Sequence, residues 1–319
     1  MLCKLNYLIK ENGTTVLYFH KNGDGIIRRA KRGSSWQEDE CIFKDGCSGF
    51  GLYPDSNAVH IVTQTVLGEL MYIISTASGR RKFILQKLPE DCNIIKIFLY
   101  PIRNRLNMLY SLKRGNDIFL MHCILTDNAR QNTVAKIKDS DFFVMHNRVY
   151  YTAFDGSAGF SELADEKPAY YIRIAENSSV PYLYQGHIAF KSNEKIYFDN
   201  RALCKDPQAN GVIITEYNSR LFVVWQSDGY LRYMPSDSQS GRPHAVIKPP
   251  FPANIYGIWH NDDCHYFYGN HTENELITYV NPSPFDSMPE KDPEEFLSRR
   301  MENMKKEIAE LKNKLYYLI

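Results

Sequence analysis

Hydrophobic and polar positions alternate in blocks along most of this chain. Short, mostly apolar stretches, rich in Tyr, Phe, Val and Ile, are separated by short polar stretches carrying Asn, Gly and Asp. Residues 140–175 show the cycle in full: DFFVMH, then Asn147 and Arg148, VYYTAF, the turn Asp155-Gly156-Ser157-Ala158-Gly159, FSEL, a polar stretch, and AYYIRIA. Apolar runs of this length bounded by turn-forming residues predict four short strands, joined closely enough for sequential antiparallel pairing.

The cycle recurs about seven times over residues 1–285, and repetition at such a period is the mark of a repeat architecture. First strands are expected near Leu5, Gly49, Ile94, Asp141, Pro181, Gly211 and Asn254. The fifth unit (PYLYQ, HIAFKS, KIYFDN) is compressed and its outer strand weak, which leaves six as the alternative count. Strands such as LNMLYSL and RLFVVW lack a polar face, the pattern of sheets buried on both sides. Stacking four-stranded units face to face in a ring buries both faces and protects most edges. The expectation is therefore an all-β propeller over residues 1–285, with a β-sandwich as the rival.

Three segments carry a resemblance to a known repeat: Leu17-Tyr18-Phe19 with Ile27-Arg28-Arg29-Ala30, Val149-Tyr150-Tyr151-Thr152, and Leu231-Arg232-Tyr233-Met234. Their Tyr-rich strand, polar turn and Arg- or Leu-bearing strand resemble YWTD-type and related bacterial propeller repeats, although the full Tyr-Trp-Thr-Asp string is absent. The resemblance implies architecture only, because one fold hosts many functions.

The period changes after a Pro/Ser/Asp-rich linker that ends over residues 286–291. Asp292 is a good N-cap, Pro293 suits the first helical position, and Glu295 completes a capping box. A helix is predicted over 292–319. Its apolar residues alternate steps of four and three. Met301, Ile308 and Leu315 take a positions, and Leu297, Met304, Leu311 and Leu318 take d positions. That narrow seam predicts self-association or docking to a helical partner. In a parallel dimer Glu307 would face Lys312 favourably and Arg300 would face Lys305 unfavourably. A helix packed back on the propeller would carry a wider stripe.

Composition adds little to this picture. Aromatic residues make up 13% of the 319, which favours strands. Formal charge is +1. Residues 1–130 hold 18 Lys/Arg against 12 Asp/Glu and the remainder 20 against 25, too slight an asymmetry for a nucleic-acid binder. The seven cysteines are scattered without a CxxC, so buried thiols in a reducing compartment are expected rather than a disulfide or zinc framework. The N-terminus lacks the apolar core of a signal peptide and no run could span a bilayer, so a cytoplasmic protein is expected.

Candidate chemistry is sparse. His20-Lys21-Asn22-Gly23-Asp24-Gly25 suggests a calcium loop, but His20 and Lys31 occupy positions where that loop needs acids. His260, Asp262, Asp263, His265 and His271 offer mixed metal ligands, yet Asn261-Asp262-Asp263 falls where a hairpin turn belongs. Asp141 and Glu216 are acids on inner strands, where a glycosidase propeller would place its carboxylates. Ser227-Asp228-Gly229 does not match the boxes of sialidase-like propellers. No nucleophile elbow, phosphate loop or cofactor motif occurs. The basic runs Arg28-Arg29-Ala30-Lys31-Arg32 and Arg80-Arg81-Lys82 read as solvated surface or, less often, a mark of an acidic partner. The expectation is a non-catalytic protein-interaction scaffold, with no cofactor, no metal and no membrane contact. The alternative is a propeller that binds or hydrolyses glycans or peptides at its channel, which calls for exposed Trp and Tyr with carboxylates at one rim and loses its best support if Trp36, Trp225 and Trp259 are all buried between blades.

Overall fold

A computed structural model describes residues 5–278, apart from 34, 103–104, 126–130, 164–167, 218–219, 239–242, 246–253, 261–262 and 272–275. The linker 286–291, the helix 292–319 and all seven heptad positions lie outside the described residues.

The described residues form antiparallel meanders that follow one another along the chain. Inner strands of the seven blades that the described residues form are Leu5–Glu11, Gly51–Pro54, Cys92–Ile102, the second half of Gln131–Met145, Tyr182–Tyr184, Asn210–Tyr217 and Asn254–His260. The fifteen-residue strand Gln131–Met145 serves two blades. Its first half pairs with Asp117–Ile124 and its second half with Arg148–Ala153. The fifth blade has a paired outer strand after all: Arg201–Lys205 bonds to Lys195–Phe198. Its hairpins are simply tight. Gln185-Gly186 and Asn193-Glu194 adopt positive φ at both central residues, the two-residue turn that matches strand twist. The hairpin before Arg148–Ala153 turns on His146-Asn147, one residue earlier than the sequence pattern suggests.

Consecutive blades touch all the way round. Tyr7 packs edge-on against Phe50, 5.5 Å between centroids, joining blades 1 and 2. A Cβ on Gly51 would come within 2.7 Å of Ile97 Cγ2, so glycine permits the close approach of blades 2 and 3. Phe143 and Tyr182 join blades 4 and 5 at 4.6 Å. The Tyr184 hydroxyl donates to Glu216 at 3.3 Å across blades 5 and 6, and the Tyr268 hydroxyl donates to the Gly211 carbonyl across 6 and 7.

The ring closes by hydrogen bonds between backbones. Leu5–Glu11 pairs in parallel with Asn254–His260, setting Tyr7 opposite Gly257, so that blades 7 and 1 form one continuous sheet. A side chain at Gly257 has no room, because its Cβ would lie 2.6 Å from Cys264 Sγ and 3.3 Å from the Tyr7 ring.

The main apolar cluster draws buried residues from all seven blades, including Tyr7, Ile61, Phe98, Val149, Ala189, Trp225 and Tyr268. Burial of apolar surface on both faces of each sheet is what the unalternated strand patterns called for. None of the six described cysteines is in a disulfide; Cys92, Cys123 and Cys264 are buried, while Cys41 is exposed.

Candidate recognition surfaces

Among the described residues, four of the eight exposed large hydrophobic side chains lie on the second blade. Its strands after the inner one are Ala58–Gln64, Glu69–Thr76 and Gly79–Lys87, and the last is the outer edge, bonded on one side only. Phe83 and Ile84 on that edge are 45% and 60% exposed, and Val66 and Leu67 in the neighbouring turn are 76% and 74% exposed. The same nine-residue edge strand holds Arg80, Arg81, Lys82 and Lys87 and no acid. The outer edge of a sheet presents unpaired backbone N–H and C=O groups on which another strand can pair.

The edge rests on a rigid base. Phe83 packs on Tyr72 at 6.1 Å, and Tyr72 stacks on His60 at 5.9 Å. His60 bridges the Tyr72 hydroxyl (2.6 Å from Nδ1) and Asp55 (2.7 Å from Nε2), while the other Asp55 oxygen accepts the N–H groups of Asn57 and Ala58. Burial, reinforced by the Asp55 charge, pushes the Tyr72 phenol up to about 12. Burial alone would raise Asp55 too, but His60 and the two N–H groups outweigh it and hold the carboxyl below its usual range.

Between blades 1 and 2 runs a polar groove of about 890 Å³. Arg28 places Nε and Nη2 at 3.1 and 2.7 Å from Glu11 Oε2 and Nη1 at 3.0 Å from Glu40. The Tyr18 hydroxyl donates to the other Glu11 oxygen at 2.6 Å, and Arg80 reaches Glu40 from blade 2. These charges satisfy one another, so the network ties the first blade to the second rather than presenting unmatched charge.

No protein-family model matches the sequence, and no curated protein matches it. Among solved structures the chain is similar to BBS1N in its complex with ARL6DN: 11% identity, 88% of this chain and 94% of that one covered, TM-score 0.51. The fold is a β-propeller. Weaker likeness extends to the six-bladed fucose-recognising lectin of the fungus Aleuria aurantia (10% identity, 86% and 89% covered, TM-score 0.48) and to the SapL1 lectin in complex with alpha methyl fucoside (7%, 88% and 97%, TM-score 0.47).

The propeller separates most residues that the sequence had grouped. His265 lies edge-on to Tyr184 at 5.3 Å, whereas His271 bonds the Tyr256 hydroxyl at 2.6 Å and packs on Phe19. Asp262 and the side chains of His260 and Asp263 lie outside the described residues, and among the described ones no three potential ligands gather. His20 contacts the Gly46 carbonyl at 3.1 Å. Glu216 accepts from Tyr184 and, at 2.7 Å, from Gln185, while Asp141 sits 3.7 Å from Lys96 in a different part of the channel.

The tryptophans are occupied in packing. Trp225 is fully buried. Trp259 donates to the Leu52 carbonyl at 3.0 Å and stacks on Phe98, and Trp36 is half-buried beneath Lys31. Trp36 and Trp259 keep part of their surface accessible, whereas Trp225 keeps none. No helix among the described residues is long and apolar enough to cross a membrane.

Two polar centres escaped sequence reasoning. Lys96, inside the apolar run IIKIFLY, donates to the Phe142 carbonyl at 2.8 Å under the rings of Phe142 and Tyr266. Burial pulls its ammonium below the usual lysine range, with Asp141 opposing. Asp206, in an ordinary-looking Asp-Pro turn, is buried and accepts the Trp225 indole N–H and the Ser227 hydroxyl, each at 2.8 Å. A charged residue within an apolar strand was the one available signal for Lys96; nothing local marked Asp206.

Proposed function

We propose that this chain is a non-catalytic recognition module: a seven-bladed propeller that engages a protein partner, with its C-terminal heptad supplying self-association or helical docking. The observation that supports it most is the edge of blade 2, where Phe83 and Ile84 lie exposed along a strand whose only charges are basic. An extended partner segment with acidic residues would add main-chain hydrogen bonds to this edge and place its acids against Arg81, Lys82 and Lys87. The fold similarity to BBS1N, whose solved structure is a complex with ARL6DN, is in keeping with that class of role.

Leu297, Met301, Met304, Ile308, Leu311, Leu315 and Leu318 form the proposed association seam, which would raise avidity without new contacts on the propeller. The test combines affinity capture from native-host lysate with light scattering, using the full chain, an R81E/I84E variant and a chain ending at Asp286. The expected result is a partner that the edge variant loses and an oligomer that the shortened chain loses. A partner profile unchanged by R81E/I84E removes the edge from the reading, and a mass unchanged by shortening removes the seam.

A further inference from the structure

The inner strands of this propeller differ in regularity. In blades 1, 2, 5 and 7 the inner strand pairs with its neighbour without any shift of register. In blades 3, 4 and 6 the register shifts, between Ile94 and Lys96, between Ile137 and Phe142, and between Asn210 and Ile213. Residues within all three irregular stretches line a single cavity of about 440 Å³: Ile95 from the first, Lys138 to Asp141 from the second, Gly211 and Val212 from the third. The fourth contribution, Ser179 to Tyr182, is the segment through which the chain enters the short inner strand of blade 5.

Topology explains the convergence. The second, third and fourth stretches are the arrivals of the chain from the outer edge of one blade to the centre of the next. Arrivals of that kind all reach the same end of a propeller channel. Bulges take residues out of the ladder and re-aim side and main chain, and they recur beside binding sites. Here they fall on this cavity.

The chemistry of the lining restricts what fits. Two lysines, Lys113 and Lys138, and two aspartates, Asp139 and Asp141, line the wall, which thus mixes both signs of charge. Asp141 is further held by Lys96; the two side chains are only 16% and 13% exposed. Ser140, Asn116 and Asn210 supply neutral donors and acceptors, and Phe142, Tyr182 and Tyr266 supply ring faces. A wall of mixed sign is not built for a simple cation or a simple anion. A neutral molecule with several hydroxyls and one apolar face can match both kinds of surface.

We propose that the mouth of the channel between blades 3, 4, 5 and 6 is a binding site for a neutral polyhydroxylated small molecule, either a sugar or a nucleoside. It stands apart from the edge of blade 2, so each can fail without the other. The test is calorimetric titration of the full chain with galactose and N-acetylglucosamine, with adenosine and uridine, and with glucose 6-phosphate and AMP as charged comparators. The S140A/N210A variant alters two lining residues outside the buried core, and circular dichroism checks that it folds; N116A is the second variant. Saturable binding of a neutral probe, weakened about tenfold or more by S140A/N210A, is expected, since each lost hydrogen bond is worth roughly 0.5–1.5 kcal/mol. The sugar and nucleoside arms then identify the source. No neutral binding up to about 10 mM, where an association of only a few kcal/mol would still register, overturns the proposal. So does binding that both variants leave unchanged, or binding confined to the charged comparators.

Discussion

Asp206→Ala should be among the most destabilising single substitutions available in this propeller. The carboxylate is 7% exposed, where the chain leaves the outer strand of blade 5 for the centre of blade 6. One oxygen accepts the indole N–H of Trp225, which is wholly buried, and the other accepts the hydroxyl of Ser227, 2% exposed, with the Gln208 N–H at 3.2 Å. Arg232 Nε stands 3.8 Å away. Alanine would leave the indole and the hydroxyl buried without this acceptor, at about 1–3 kcal/mol each. The Arg232 guanidinium would also lose one of its two nearby carboxylates, Asp228 remaining 3.8 Å away. A total of about 3–5 kcal/mol is expected, the range for removing one member of a buried charged network. Equilibrium urea denaturation of wild type, D206A, W225F and the double variant measures it. The cycle should show a D206A–W225F coupling of roughly 1–2 kcal/mol, because the two groups share one hydrogen bond. A D206A cost below about 1 kcal/mol, or strict additivity with W225F, would refute the assignment of Asp206 as the anchor between blades 5 and 6.

Two further outcomes follow from the closure of the ring and the buried histidine. Gly257→Ala forces a methyl against Cys264 and Tyr7 at the parallel pairing of first and last blades, and should cost about 1–3 kcal/mol; an unchanged denaturation midpoint would show that the closure tolerates the methyl. His271 has its folded pKa lowered from 6.5 to about 4, by burial first and by the charge of Arg29 second. Its neutral form is the one the fold holds, so its contribution is complete above pH 6.5 and is lost as pH falls from there through 4, where the unfolded chain takes up the proton first. His271→Gln should flatten that part of the stability profile, and identical slopes for the two proteins between pH 6.5 and 4 would contradict the placement.

Much of the architecture was legible because it is local. A strand start needs a run of apolar residues after a turn, and both are written in neighbouring residues. That is why inner strands occur where Leu5, Gly49, Ile94, Asp141, Pro181, Gly211 and Asn254 announced them. The outer strand of blade 5 was the weak point, since RALCK is only five residues long with charged ends and is held by its pairing partner rather than by its own pattern. The candidate sites were less legible. His265 and His271 are six residues apart in one strand, yet their contacts lie with Tyr184 and with Tyr256 and Phe19.

What the sequence determined by itself, then, is the repeated meander, its turns and the burial of both sheet faces, since each depends on a few consecutive residues. Only the tertiary structure decided that blades 7 and 1 close through a parallel backbone pair, that Lys96 meets Asp141 while Glu216 does not, and that three register shifts share one cavity. Those are meetings of residues far apart in sequence. They depend on how many blades complete the circle and on which end of the channel each connection enters, and no short-range pattern encodes either.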